Sequence, residues 1–573
     1  MKYGVVRQGP GRLMMSAVLL VVVSLALILT GGQKADAAGL EQKIAADMNP
    51  GPSDSYPEGN TELNGKIYFS AFDIKGEELW LFDGQAAGRI HEFEPGIDGG
   101  DPIGFTPLGQ FMYFSASTED HGRELWRSNG STTELVSDIY PGTEGSSPRD
   151  FIELGGYLYF TASDADGSEL WRTNGTSTTQ IEDLNPGGDS SNPRDFEVLG
   201  NYIYFGAYEP VLSTEVYRTN GSGVDLVSDL YPGANGSSPR GFQTFGSHVY
   251  FTATDPVNGN ELQRTDGTTT SLVADIKPGV SGSSPDGFTE ADGYLYFAAS
   301  DGVDGEELWR TNGTSTTQVA DIATGPDSSD PNRFTVFGNQ IYFVARTDDQ
   351  GRELWRSDGT SANLVSDIRV GEFSSSPTEF LESGGVLHFN ARTDLDGREL
   401  WALDGTGVRM MDDLLEGTDG SSPGDLVEMA GTLYFSADDG LSGEELWKLS
   451  PIDESVSLNV VGKVVKVTKK SVLVKLACPA AEANGPCAGT LTLATRKKVK
   501  VRGKKRKFTI GKAKFSVAAG QTKSVRIKLT PSMRKLLKTN KPARTLLAKA
   551  KVSDTEGNQA TVSKTLKAKG LGK

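Results

Sequence analysis

A Glu followed by an aliphatic residue, and in eight of nine copies then by an aromatic one, recurs every 45 or 46 residues along this chain, from Glu78-Leu79-Trp80 to Glu445-Leu446-Trp447. No other feature restricts the fold so sharply. At 573 residues the chain is too long for one growing core, since compact cores stop enlarging at roughly 250–300 residues. Similar short units that each bury a face against the next remove that difficulty.

Residues 148–192 show what repeats. Asp150-Phe151-Ile152-Glu153-Leu154, the turn Gly155-Gly156, and Tyr157-Leu158-Tyr159-Phe160-Thr161-Ala162 read as two β-strands. After the polar loop from Ser163 to Gly167, Glu169-Leu170-Trp171-Arg172 is a third strand. Asn174-Gly175 is a type I′ turn signal, and Gln180-Ile181-Glu182-Asp183-Leu184 is a fourth strand. A Pro-, Gly- and Ser-rich connection leads onward, and no run has helical spacing. Four short strands in a meander make a propeller blade. The last unit stops after its third strand, and the stretch from Lys43 to Gly51 matches the fourth-strand stretch from Leu135 to Gly142. The expected fold is all-β: a closed β-propeller of nine four-stranded blades over residues 38–451, completed by a strand from the N-terminus. Closure leaves no bare sheet edge.

The two ends differ from the repeats. Lys2, Arg7 and Arg12 precede an apolar run from Leu13 to Thr30 and then Ala35-Asp36-Ala37, which reads as an export signal over residues 1–37, cleaved after Ala37. Retained, that run would anchor the chain; no other integral membrane span is expected. Residues 452–573 hold 30 Lys/Arg against 5 Asp/Glu, which leaves 27 against 70 for the rest, so the two parts carry about +25 and −43. Alternating runs such as Val472-Leu473-Val474-Lys475-Leu476 and Val525-Arg526-Ile527-Lys528-Leu529 predict about seven strands in a two-sheet β-sandwich, with one helical turn at Pro531-Leu537. The chain's two cysteines, Cys478 and Cys487, are expected to form one local disulfide.

A carboxylate that appears nine times is not a catalytic group. Glu78, Glu124, Glu169, Glu215, Glu261, Glu307, Glu353, Glu399 and Glu445 are read as structural acceptors for a neighbouring loop. Trp80, Trp126, Trp171, Trp309, Trp355, Trp401 and Trp447 are read as filling between blades. An Asp ends the fourth strand of eight units (Asp47, Asp138, Asp183, Asp229, Asp275, Asp321, Asp367 and Asp413), with Glu92 in the ninth. The loops after strands two and four open on one side, so one face of the ring is rich in carboxylates. Calcium is the cofactor such loops would take, with Asp164, Asp166, Asp394 and Asp396 as candidate ligands; ordinary Asp-Gly turn chemistry is the competing account. Units four and five break the pattern. There Tyr217 and Gln263 replace the Trp, and Pro210 and Pro256 enter the acidic loops. Tyr208, Tyr217 and Gln263 mark this sector as the candidate ligand or partner site. Nine of the twelve residues from 496 to 507 are basic (Arg496, Lys497, Lys498, Lys500, Arg502, Lys504, Lys505, Arg506 and Lys507), a cluster that binds polyanions.

Glu353-Leu354-Trp355-Arg356-Ser357-Asp358-Gly359-Thr360 resembles the repeat family of exported bacterial proteins named for Glu-Leu-Trp-x-x-Asp-Gly-Thr; the resemblance covers about residues 43–449. Asn129, Asn174, Asn220 and Asn312 stand at the Asp position. The resemblance implies a secreted or surface repeat protein and brings no catalytic residues. The cysteine pair and Asp554-Thr555-Glu556-Gly557-Asn558 make residues 452–573 similar to the small immunoglobulin-like domains that end exported bacterial proteins.

The leading expectation is an exported, noncatalytic binding or adhesion scaffold. Its acidic propeller face takes a ligand or protein partner, with carbohydrate among the candidates, and its basic domain attaches to an anionic cell-surface polymer. Export disfavours nucleic acid. The opposing expectation is an extracellular carbohydrate-active hydrolase or lyase on a propeller, working through carboxylates alone.

Overall fold

The computed structural model describes residues 40–569 apart from 95, 97–98, 452–457, 469, 480–486, 502, 519 and 554–558. The export signal over residues 1–37 therefore lies outside the described residues.

Nine four-stranded antiparallel sheets follow one another. The third blade is typical: Arg149–Leu154, Tyr157–Asp164, Gly167–Thr173 and Thr178–Glu182 lie side by side in chain order. The ninth blade is built from Gly424–Met429, Thr432–Asp438 and Glu444–Pro451, and its fourth strand is Leu40–Ala46, antiparallel with Leu40 opposite Pro451 and Ile44 opposite Trp447. The ring is also tied at its inner edge. The Gly59 amide of the first blade donates to Asp425 Oδ1 (2.9 Å), and Asn60 Nδ2 donates to the Asp425 carbonyl (2.9 Å).

The packing explains the repeat. Each Trp lies against the Leu of the blade before it: Trp80 with Leu446, Trp171 with Leu125, Trp355 with Leu308, Trp401 with Leu354 and Trp447 with Leu400. Alternation along the third strand sends these two neighbours to opposite faces. One dipeptide therefore furnishes both sides of an interface, and nine copies close a ring.

The Asn-Gly turns differ from the type I′ expectation. Of Asn174 and Gly175 only the glycine has positive φ (+85°). Asn174 instead opens a four-residue loop in which its Oδ1 accepts the amides of Thr176 and Ser177, both at 3.0 Å. An Asp carboxylate accepts in the same way, as Asp358 does from Thr360 and Ser361, which is why Asn and Asp interchange at this position.

Residues 458–569 form a second all-β unit around its own core. Seven strands share a single sheet: Asn459–Val467, Ser471–Ala477, Cys487–Thr495, Thr509–Val517, Thr522–Lys528, Thr545–Ser553 and Gln559–Lys569. A two-sheet sandwich was the expectation; here the hydrogen bonds run through without a break because the first strand pairs along both of its edges, with Ser471–Ala477 on one side and Gln559–Lys569 on the other. Val460 and Val461 pair antiparallel with Leu476 and Lys475, and after Gly462 (φ +83°) Val464 to Lys466 pair in parallel with Lys567 to Lys569. The sheet curls until its two edge strands meet, where a Cβ on Gly511 would lie 2.5 Å from Ile527 Cγ2. A helix, Pro531–Thr539, stands where a helical turn was expected, and Val499–Val501 and Lys504–Arg506 add a small hairpin.

Candidate functional site

The nine repeated Glu side chains are fully buried. Each carboxylate holds the connection that follows the fourth strand. In the second blade the amides of Ile139, Tyr140 and Ser146 donate to Glu124 at 3.1, 3.0 and 2.9 Å, and the Ser146 hydroxyl adds a bond of 2.6 Å. Serine fills this role in eight blades (Ser146, Ser191, Ser237, Ser283, Ser329, Ser375, Ser421 and Ser55). Gly100 stands there in the first full unit, where the Phe93 amide donates to Glu78. Burial raises these carboxyls above their usual range and the donated hydrogen bonds pull them part of the way back; Glu78, Glu353, Glu399 and Glu445 settle at about 7. All nine carboxyls are sealed from solvent, and two of them, Glu78 and Glu445, keep one buried oxygen without a partner.

The signal for the second half of this device was in the sequence. A Ser lies two residues before a Pro in eight of the connections, and the residue between them has positive φ, as at Ser147 (+49°) and Ser376 (+45°). The connections looked like ordinary Pro- and Ser-rich loops, and only the fold shows that they are clamped to the third strand.

The loops after strands two and four share one face of the ring. Its acids are mostly turn-forming or ion-paired. Asp164 Oδ1 accepts the Asp166 amide (2.9 Å), Asp396 Oδ2 accepts the Thr393 hydroxyl (3.0 Å), and Asp394 pairs with Arg369 at 2.5 Å. Among the described residues no three His, Cys, Asp or Glu side chains gather as a metal group. Of the four candidate calcium ligands, two in each of two separate loops, the carboxylates of Asp164, Asp394 and Asp396 are engaged in local bonds, while Asp166 contributes its backbone amide. A cleft of about 580 Å³ opens between the seventh and eighth blades, floored by Trp401 and walled by Asp367, Arg369, Asp394 and Asp396. A similar cleft of about 390 Å³ above Trp355 is lined by Asp327, Arg346, Asp348 and Asp349.

In the irregular sector, Tyr217 and Gln263 are buried in consecutive interblade spaces, and Tyr208 stands partly exposed near the end of the second strand of the fourth blade, Tyr202–Glu209. Tyr217 stacks on Phe205 with ring centroids 6.3 Å apart. Its hydroxyl has no partner, and burial, reinforced by Glu209, pushes its pKa up to about 12. Gln263 Nε2 donates to Asp255 Oδ2 at 3.5 Å. The loop that lacks Asp keeps its turn because Glu209 accepts the amides of Val211 and Leu212. The fold brings Tyr208 and Tyr217 into one blade and places Gln263 one interface away.

Cys478 and Cys487 are bonded, as expected. Arg496, Lys497, Lys498, Lys500, Lys504, Lys505, Arg506 and Lys507 are all exposed; Arg502 lies outside the described residues. The fold adds basic neighbours from another part of the chain, since Asn540 Nδ2 donates to the Lys500 carbonyl (3.3 Å) and brings the Lys535, Lys538 and Lys541 segment beside the hairpin. Strand pairing sets this cluster at one pole. Asn459 lies opposite Ala477 and Cys487 opposite Val517 at the end where the chain enters, and Ser471 opposite Lys528 and Thr495 opposite Leu546 at the other.

No family model matches the chain, and neither does any curated protein sequence. Among solved structures it is similar to one from a study of two prolyl endopeptidases (TM-score 0.36, 10% identity, 66% of this chain and 54% of that one). It is also similar to a puromycin-hydrolyzing peptidase of Mycobacterium tuberculosis (TM-score 0.32, 11% identity, 62% of this chain and 61% of that one). A third is the β-propeller domain of the Trilobed protease from Pyrococcus furiosus (TM-score 0.31, 12% identity, 55% of this chain and 98% of that one). This chain spans little more than half the length of the first, and no activity carries over from any of them.

Proposed function

We propose that the chain is an exported, noncatalytic scaffold whose propeller offers its acidic loop face to a partner while the basic domain holds an anionic cell-surface polymer. The basic pole carries this reading. Eight Lys and Arg residues of the 496–507 segment stand exposed there, and with 30 Lys/Arg against 5 Asp/Glu in residues 452–573 the cations far outnumber the carboxylates of their own domain, which suits them to an external anion. Among the described residues the pole bears no exposed large apolar side chain: in this domain only Val461 and Val464, both on the entering strand, are of that kind. A membrane-inserting tip would carry apolar wedges, so a soluble phosphate- or carboxylate-bearing polymer is the better partner.

The disulfide supports an oxidising compartment and hence export. The in-phase Glu-Leu-Trp units support membership of the exported repeat family. The parallel pairing of the first and last strands supports an immunoglobulin-like origin for the basic domain.

Retention of the mature protein on immobilised polyphosphate tests the reading. Retention should fall steeply with salt and disappear when Lys497, Lys498, Lys504 and Lys505 are changed to Glu. Turnover of an extracellular polysaccharide that a single carboxylate change abolishes would replace the scaffold by a hydrolase.

A further inference from the structure

The loop face of the propeller carries more than acid. In six blades the loop between strands two and three thrusts an aliphatic side chain into solvent: Ile74, Val211, Val257, Val303, Leu395 and Leu441, each at least 60% exposed. The turn chemistry puts them there. Asp255, Asp301 and Asp439 accept the amides of Val257, Val303 and Leu441 at 2.8, 2.7 and 2.8 Å, and Glu209 does the same for Val211, so four of the six tips have a carboxylate at their base; the Leu395 amide is held by the Thr393 hydroxyl, and at Ile74 Asp73 accepts the next amide, that of Lys75. Large apolar groups repeated at one exposed position around a ring mark an interaction surface. An aliphatic tip beside a carboxylate suits lysine, whose methylene stem lies on apolar surface while its ammonium reaches an anion.

We infer that this face binds the basic pole of the C-terminal domain of a second copy of the chain. Charge complementarity identifies the occupant: the repeat region carries about −43 and the C-terminal region about +25, from the residue counts of the two parts. Topology identifies the copy. The last strand of the propeller, Glu444–Pro451, begins at the loop face and ends on the opposite side of the ring. The six residues 452–457 span at most about 20 Å, and the basic pole then lies at the end of the C-terminal domain remote from its entry. A chain's own pole is therefore carried away from its own loop face. Pole to face is a heterologous contact, so copies join head to tail, in open chains or closed rings.

This inference rests on the scaffold reading but fails separately from it. Sedimentation velocity on the full mature chain should show mass rising with concentration at about 20 mM salt and a monomer at about 500 mM, where the screening length has shrunk from about 20 Å to about 4 Å. The variant K497E/K498E/K504E/K505E should stay monomeric and, mixed with the parent, shorten its chains by capping. Val257→Lys with Leu395→Lys, both at exposed tips, should weaken association without lowering the melting temperature. A monomer at every concentration overturns the inference while retention on polyphosphate still upholds the scaffold. Compaction without a gain in mass also overturns it, since that is docking within one chain, as does association that survives the lysine reversals.

Discussion

Ser146 Oγ donates to Glu124 Oε2 across 2.6 Å although 22 residues separate them, and the same pairing recurs at the same separation through Ser421 and Glu399. Each pair fastens the connection between two blades to the third strand of the blade it leaves. Glu124→Ala would strand the Ile139 and Tyr140 amides and both donors of Ser146 in a buried site, and should cost about 3–5 kcal/mol, the scale for removing one partner of a buried charged network. Ser146→Ala removes one hydroxyl and should cost about 1–2 kcal/mol. Denaturant titration of the two variants checks the order; equal or negligible losses would refute the clamp.

The raised carboxyls set a pH dependence. Glu78, Glu353, Glu399 and Glu445 titrate at about 7 in the fold, above the ordinary carboxyl value near which they titrate unfolded, because burial disfavours their charge. Between those values the folded chain binds more protons than the unfolded one, so their contribution is fully present below about 4.5 and is lost as pH rises through 7. At lower pH the opposite class takes over. The Thr406 hydroxyl, with the Thr406 amide and Arg409, holds Asp404 at about 2, and what it contributes is lost as the medium becomes more acidic. The melting temperature of the propeller should therefore be higher at pH 5 than at pH 8 and fall again below pH 4. Glu399→Gln should flatten the slope between pH 5 and 8 by up to one proton, about 1.4 kcal/mol per pH unit. A profile that rises from pH 5 to 8 would contradict the assignment.

Blade number, closure and the strand borrowed from Leu40–Ala46 were legible because a 46-residue period and an incomplete last unit are properties of the sequence alone. The roles of Trp and Leu followed from alternation. The clamp serines were not legible in the same way: they lie in connections whose composition is that of any loop, and their function depends on a contact 22 residues back. In the C-terminal domain the alternating runs gave the strands, but whether they split into two sheets depended on the first strand pairing with the last as well as with the second, which no periodicity reports. The exposed aliphatic tips were hidden for a related reason. Ile74, Val303 and Leu441 sit among acids and glycines, and only the fold shows that they point into solvent.

Tyr217 supplies a test of the irregular sector. Its phenol is 97% buried, being 3% exposed, and its hydroxyl meets no partner. A buried unpaired hydroxyl costs about 1–3 kcal/mol, so Tyr217→Phe should stabilise the propeller by about 1 kcal/mol, read as a higher denaturation midpoint. If Tyr217 binds a ligand through that hydroxyl, the same variant loses the ligand while gaining stability. A Tyr217→Phe chain that is less stable than the parent would mean that the hydroxyl is paired in solution.

The closing strand gives the sharpest test of the ring. Leu40–Ala46 completes the sheet that Glu444–Pro451 would otherwise leave open, and just beyond it the Met48 amide (2.8 Å) and Ser55 hydroxyl (2.8 Å) both donate to Glu445. Removal of residues 40–46 should bare an edge strand bearing Trp447 and Leu449, with a lower melting temperature and salt-resistant aggregation, because an open apolar edge pairs with other chains. A synthetic peptide of residues 40–49 should then add back as a strand and restore the transition, since main-chain pairing supplies the affinity and alternate side chains the register. A scrambled peptide should not. A truncated chain that melts like the parent and takes up no peptide would show that the propeller stands without its borrowed strand.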